Sequence, residues 1–217
     1  MTSPDRPTPV VPAREAYVRL REGNRRFASD AMGHAALVDH ERRRRLTGGQ
    51  HPLAIVLGCS DSRVPAELVF DQGVGDLFVI RVAGNIIAPS LVGSVEFAAE
   101  RFGTRLVVVL GHSGCGAIEA TFEELESGGP RYPNLKAIVD RIRPAVAPLL
   151  ELGVDVPRER LLARAVRANI RASAGHLRHG SAILEELIER EGLVVVGAEY
   201  SLETGVVDFF DGAPPGP

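Results

Sequence analysis

Cys59, His112 and Cys115 are the residues of this sequence best suited to chemistry. Cys59 opens the segment Cys59-Ser60-Asp61-Ser62-Arg63, and the other two belong to His112-Ser113-Gly114-Cys115-Gly116. Two thiolates and an imidazole match Zn²⁺ in softness and in its preference for tetrahedral coordination. A structural zinc is closed by four protein ligands, whereas a catalytic one keeps a position open. There is no third cysteine, and His34, His40, His51, His176 and His179 lie outside both segments. An open, three-ligand zinc site is the expectation. A closed structural site, or a pair of inert buried cysteines, is the alternative. A disulfide between the two is disfavoured in a reducing cytoplasm.

Asp61 and Arg63 refine this expectation. Asp61 is two residues from Cys59, close enough to be a fourth ligand or an outer acceptor. Arg63 can hold a carboxylate through two parallel hydrogen bonds. Held in that way, Asp61 leaves the fourth position to water; swung onto the metal, it shuts the site. A pair that only ties the loop together is the plainer reading. Zinc brings the pKa of a bound water to roughly 7, giving a hydroxide near neutral pH. Two thiolates cancel the ion's formal charge, so activity is expected to rise on the alkaline side of neutrality. A fixed Asp61 acceptor would orient the nucleophile.

Four continuous apolar runs, at 53–57, 77–80, 106–110 and 193–197, read as parallel strands buried on both faces. Helical segments are expected near 65–72, 90–102, 117–126, 135–150 and 158–190. Pro144 and Pro148 predict a kink or division in the fourth, and Gly180-Ser181 a break in the fifth, with Ser181 as N-cap. A last strand at 206–210 follows Glu203-Thr204-Gly205 and pairs antiparallel with 193–199. The fold class is α/β: a central, mostly parallel sheet of four parallel strands plus an antiparallel C-terminal edge strand, flanked by helices, with an N-terminal helical arm. Both chemical segments then sit just past carboxyl ends of strands, where open α/β sheets form their sites. They converge if the runs at 53–57 and 106–110 are neighbours.

Ahead of the sheet, 13–29 reads as an amphipathic helix with Tyr17, Leu20 and Phe27 on one face, weakened or turned at Gly23-Asn24. A short helix at 36–46 carries Arg42 to Arg45, an anion-binding run or, more simply, a solvated face. Residues 1–12 read as a disordered lead-in, 13–211 as one catalytic domain and 212–217 as a frayed tail. The 217 residues are 45% hydrophobic and 24% charged, as in a soluble globular protein. A net charge of −3 offers no basic field for nucleic acid or an anionic membrane. No apolar run approaches the roughly 20 residues that span a bilayer. Met1 to Pro9 lacks the apolar core of a secretory leader, so a cytoplasmic protein is expected.

The two segments resemble the β-class carbonic anhydrases: Cys-x-Asp-x-Arg at 59–63, then His-x-x-Cys at 112–115, each after an apolar strand. The similarity extends to Arg21-Glu22-Gly23-Asn24-Arg25-Arg26-Phe27, to 76–85, to Ser94-Val95-Glu96-Phe97-Ala98, to 194–198 and to Thr204-Gly205, covering 13–210. The resemblance implies one Zn²⁺ per chain on Cys59, His112 and Cys115, with Asp61 and Arg63 as catalytic dyad and Asp61 as an exchangeable fourth ligand. It implies reversible hydration of CO₂ to bicarbonate and a proton. It places Gln50, Phe78, Ala83 and Gly84 at the substrate pocket; Gln50 also reads as a polar turn residue, Phe78 as core and Gly84 as a plain turn. Phe97 stands where plant-like members carry Tyr, and Val56 where members with a noncatalytic bicarbonate pocket carry Trp, a residue this chain lacks. The resemblance also implies a homodimer, or a homotetramer of paired dimers, joined through the N-terminal helices and the sheet edge. Residues 13–46 are the expected crossing segment, because their helices have no evident partner in a compact α/β core. Rival readings are a carbonyl sulfide or carbon disulfide hydrolase with the same ligands, and a noncatalytic zinc-binding bicarbonate sensor.

Overall fold

The computed structural model describes residues 10–33, 40–127, 133–152 and 156–214. The apolar runs form one five-stranded sheet. Strands β1 (Ala54–Gly58), β2 (Leu77–Arg81), β3 (Leu106–His112) and β4 (Val194–Tyr200) are parallel, and β5 (Val207–Asp211) returns antiparallel on β4. The order is β2-β1-β3-β4-β5. Every residue of β1 and β3 is buried, which explains their unbroken Val, Leu and Ile where a half-exposed strand would alternate. From β1 the chain places β2 on one side and β3 on the other. The strand order thus reverses between β1 and β3, and a crevice opens at their carboxyl ends.

The helices are α1 (Ala13–Ala28), α2 (His40–Arg45), α3 (Ala66–Val69), α4 (Pro89–Phe102), α5 (Gly116–Ser127), α6 (Lys136–Leu152), α7 (Arg158–His179) and α8 (Ala182–Glu191). Two apolar layers result. On one side Ile55, Leu57, Val107 and Val109 meet Ile118, Phe122, Ile142, Ile170 and Leu184 of the helices from α5 to α8. On the other, Val56, Leu106, Val108 and Val196 meet Tyr17 and Leu20 of α1 and Val69 of α3. Among the described residues no helix is long and apolar enough to cross a membrane.

Several elements differ from expectation. The N-terminal helix does have a partner in its own core. Tyr17 packs edge-on against Phe209 with centroids 5.1 Å apart. Asn24 Nδ2 donates to the carbonyls of Val69 (3.1 Å) and Gly205 (2.8 Å), and its Oδ1 accepts from the Val207 N–H (2.8 Å). Gly23 neither weakens nor turns this helix: a Cβ there would lie 1.8 Å from the Phe70 carbonyl oxygen, so glycine is what lets α1 dock. Helix α6 is not divided. Pro144 and Pro148 are four residues apart on its exposed side, so the carbonyls they leave unpaired face water. The segment near 65–72 keeps only the four residues of α3, because Asp71 turns left-handed at φ 47°. Of the helix expected over 36–46, His40–Arg45 is helical, a 3₁₀ turn follows at Leu46–Gly48, and 36–39 lie outside the described residues, as do 1–9 of the lead-in and 215–217 of the tail.

The break after α7 is as expected: Ser181 Oγ accepts from the Leu184 N–H at 3.2 Å and caps α8. Helix α7 lies very close to the sheet. Ile170 fills the space over Gly111 of β3 and Gly197 of β4, where a Cβ would come within 2.5 Å and 2.9 Å of its side chain.

Candidate metal centre

Each ligand is delivered by a strand end. β1 stops at Gly58 and presents Cys59; β3 ends on His112; a turn with Gly114 left-handed at φ 62° then brings Cys115 to the start of α5. Ser113 fixes that turn, its N–H donating to the Tyr200 carbonyl (3.0 Å) and its Oγ accepting from the Leu202 N–H (3.0 Å). The ligand atoms of Cys59, His112 and Cys115 lie within 4.8 Å of one another, and all three residues are buried. No other such cluster of His, Cys, Asp or Glu exists among the described residues.

The donor set fits zinc. His112 Nδ1 lies 2.9 Å from the Ser113 carbonyl oxygen, so Nδ1 carries the proton and Nε2 keeps its lone pair. That Nε2 is buried and has no hydrogen-bond partner, a costly arrangement unless a cation occupies the space beside it. Hydrogen bonding with Cys115, against the opposing effect of burial, lowers the Cys59 thiol; the Gly84 N–H and the Asp61 backbone assist. The hydrogen bond with Cys59, together with burial, pushes the Cys115 thiol up. Metal binding requires both sulfurs as thiolates, so a bound metal displaces the remaining thiol proton. Burial alone would depress the His112 pKa; Cys59, the Ser113 carbonyl and Asp61 outweigh it and raise the value, so proton and metal compete for one lone pair.

Asp61 is turned towards Arg63. The Arg63 N–H and Nε each donate to Oδ1 at 2.9 Å, and Nη2 donates to Oδ2 at 2.7 Å. The guanidinium holds the Asp61 carboxyl well below the usual carboxylate range. Asp61 Oδ2 still lies only 3.8 Å from His112 Nε2. Arg63 Nη2 also donates to the Gly114 carbonyl at 3.3 Å, linking the two ligand segments.

Of the four expected pocket residues, the fold brings one to a ligand. Gly84, in the 3₁₀ turn Ala83–Asn85, donates its N–H to Cys59 Sγ at 3.3 Å, and Ala83 is half-buried beside it. Phe78 lies low on β2 opposite Ile55, with its ring 6.3 Å from Phe97 and 6.0 Å from Phe102. Gln50 is exposed and precedes the amino end of β1, a strand length from Cys59. Within one chain, Gln50 and Phe78 therefore do not line the metal centre.

Sequence reasoning missed three groups. Arg81 Nε donates to the Cys59 carbonyl (3.0 Å) and Nη2 to the Asp61 carbonyl (2.6 Å). Asn169 and Ser173 of α7 bond the 83–85 turn. Arg81 ends an apolar strand at the site's edge, a signal available in the sequence; Asn169 and Ser173 had none.

A family description of carbonic anhydrases matches residues 54–207. Carbonic anhydrase 2 of Mycobacterium tuberculosis is 37% identical over 191 residues, 88% of this chain and 89% of that protein. The solved β-carbonic anhydrase CcaA superposes with a TM-score of 0.74 at 29% identity, over 91% of this chain and 92% of that one. The β-carbonic anhydrase CafA of Aspergillus fumigatus gives 0.73 at 26% identity, over 88% and 89%. With the buried Cys-His-Cys cluster and a matching sheet, these similarities make the chain a member of the β-class carbonic anhydrase family.

Proposed function

We propose that the chain catalyses reversible hydration of carbon dioxide to bicarbonate and a proton, with zinc on Cys59, His112 and Cys115 and with Asp61 and Arg63 as the catalytic dyad. The observation that carries this is the unpartnered His112 Nε2, buried beside two sulfurs and 3.8 Å from a carboxylate that an arginine holds by both oxygens. When bound, zinc is the Lewis acid that makes water nucleophilic near neutral pH.

The chain's own groups do the rest. Ionised Asp61 can only accept hydrogen bonds, so it orients a water by its O–H and leaves a lone pair for carbon. Arg63 keeps that carboxylate ionised and keeps it off the ligand cluster, from which a small rotation separates it. Released from Arg63, Asp61 would become the exchangeable fourth ligand and close the site. Arg81 holds the Cys59–Asp61 backbone in place. Ala83 and Gly84 border the substrate; Gln50 and Phe78 reach a pocket only as residues of a second copy.

The catalytic domain spans 13–211, since α1 at one end and β5 at the other share a single apolar layer. Assembly as a dimer, or as paired dimers, uses the N-terminal helices and the β2 sheet edge, where Phe97 is 54% exposed beside Phe78 and Phe102. The cytoplasm is the expected compartment, because a reducing environment keeps both ligand sulfurs as free thiols available to a metal.

Stopped-flow CO₂ hydration from about pH 6.5 to about 9, bracketing the near-neutral ionisation that zinc confers on water, tests the reading. Activity should rise with pH, disappear with a chelator and return with zinc. Asp61→Ala should retain zinc and lose activity; Cys59→Ser should lose zinc. A flat profile with fully active Asp61→Ala would refute the dyad.

A further inference from the structure

We propose that Asn169, on α7, is a positioning residue for the metal centre: by holding the Gly84 carbonyl it keeps the Gly84 N–H directed at Cys59 Sγ. The inference rests on Cys59 being a zinc ligand, as argued above.

The turn over Ala83–Asn85 is a strained device. Gly84 sits at φ 72° and Asn85 at φ 43°, two left-handed residues in succession, the second of which is not glycine. Such a turn persists only when its surroundings over-determine it. The surroundings here are one face of α7. Asn169 Nδ2 donates to the Gly84 carbonyl at 2.7 Å, and Ser173 Oγ donates to the Asn85 carbonyl at 3.0 Å. Residues 169 and 173 are one helical turn apart, so both donors point the same way. Both side chains are buried, at 2% and 4% exposure, so water cannot replace them. A Cβ at Gly84 would lie 2.8 Å from Ile142 Cδ1 and 3.0 Å from Ala117 Cβ, which closes the other side of the clamp.

The output of the clamp is one hydrogen bond, from the Gly84 N–H to Cys59 Sγ at 3.3 Å. A donor on a metal thiolate fixes the direction of its lone pair and withdraws charge from it. If the clamp is lost, the turn relaxes and Cys59 loses that donor, while Cys59, His112 and Cys115 all remain. An asparagine is required because its amide donates; an aspartate of the same shape would set a carboxylate oxygen against a carbonyl oxygen.

The test compares the zinc-loaded parent with Asn169→Ala, Asn169→Asp and Leu187→Ala. Leu187 is a buried core residue of α8, an element that supplies no ligand and no residue of the turn, and it controls for lost stability alone. Zinc affinity is read by competition with a chromophoric chelator. The cobalt-substituted proteins report the thiolate directly through their sulfur-to-cobalt charge-transfer band. The expected result is about 10- to 100-fold weaker zinc binding in both Asn169 variants, a size usual for an outer partner of a metal ligand, with a displaced charge-transfer band. Leu187→Ala should melt earlier with the band unmoved. If Asn169→Ala does not fold, Asn169→Asp and the milder Ser173→Ala carry the comparison. Parent-like affinity and band in the folded Asn169 variants, or an equal band shift in Leu187→Ala, would overturn the inference. A parent that binds no zinc would instead overturn the assignment of the metal centre.

Discussion

Asp61 accepts three hydrogen bonds from one arginine, through two oxygens and from both backbone and side chain. Replacing Arg63 by Ala removes the two side-chain donors and frees the carboxylate. CO₂ hydration should fall by roughly 10²-fold while zinc stays bound, as measured by stopped flow and metal analysis on the same sample. Acid stability carries a second signature of this pair. Its folded carboxyl is depressed by Arg63, so the unfolded chain takes up a proton first as pH falls. The stabilisation is therefore complete above the ordinary carboxylate value of about 3.9 and is lost below it. Melting curves of metal-free parent and Asp61→Asn should show a gap that narrows below about pH 4. Arg63 is exposed, so solvent screening keeps that gap small. A gap that widens in acid would contradict the pairing.

At the scale of elements, the approach of α1 to the turn after α3 depends on one missing methyl. Gly23→Ala would force a Cβ into the Phe70 carbonyl and should cost about 2–3 kcal/mol in a urea melt, with zinc content unchanged because α1 lies on the layer away from the ligands. That contact shows where sequence reasoning succeeds and where it stops. The strands were legible because burial on both faces leaves a one-dimensional trace, an unbroken run such as Leu106 to Leu110. The ligands were legible because Cys59 and the pair His112–Cys115 each follow such a run directly. Gly23 looked like a helix weakness, since its reason is a carbonyl 47 residues away (70 − 23). Pro144 and Pro148 looked like helix breakers, since sequence does not say which side of α6 meets water. Asn169 was invisible for the same cause: its partner is the Gly84 carbonyl, and a backbone carbonyl has no residue type.

For the whole molecule, the two ends of the sheet differ. β5 is covered on one face by α1, while among the described residues no strand pairs with the outer side of β2, beside which Phe97 is exposed. Sedimentation of the parent should show a dimer or a larger assembly, and Phe97→Lys should shift it towards monomer by placing a charge in the apolar patch. An unchanged sedimentation coefficient would move the interface elsewhere. The fit of α7 over Gly111 and Gly197 acts, at this scale, like a machining tolerance. Two hydrogens in place of two methyls set how deeply the helix is seated, and the seat sets how far Asn169 can reach. Dimensional accuracy at the metal is therefore inherited in part from β4, a strand that supplies no ligand. Gly197→Ala, a change of one carbon on β4, should register first as a loss of zinc affinity in the same chelator titration, ahead of any loss of fold.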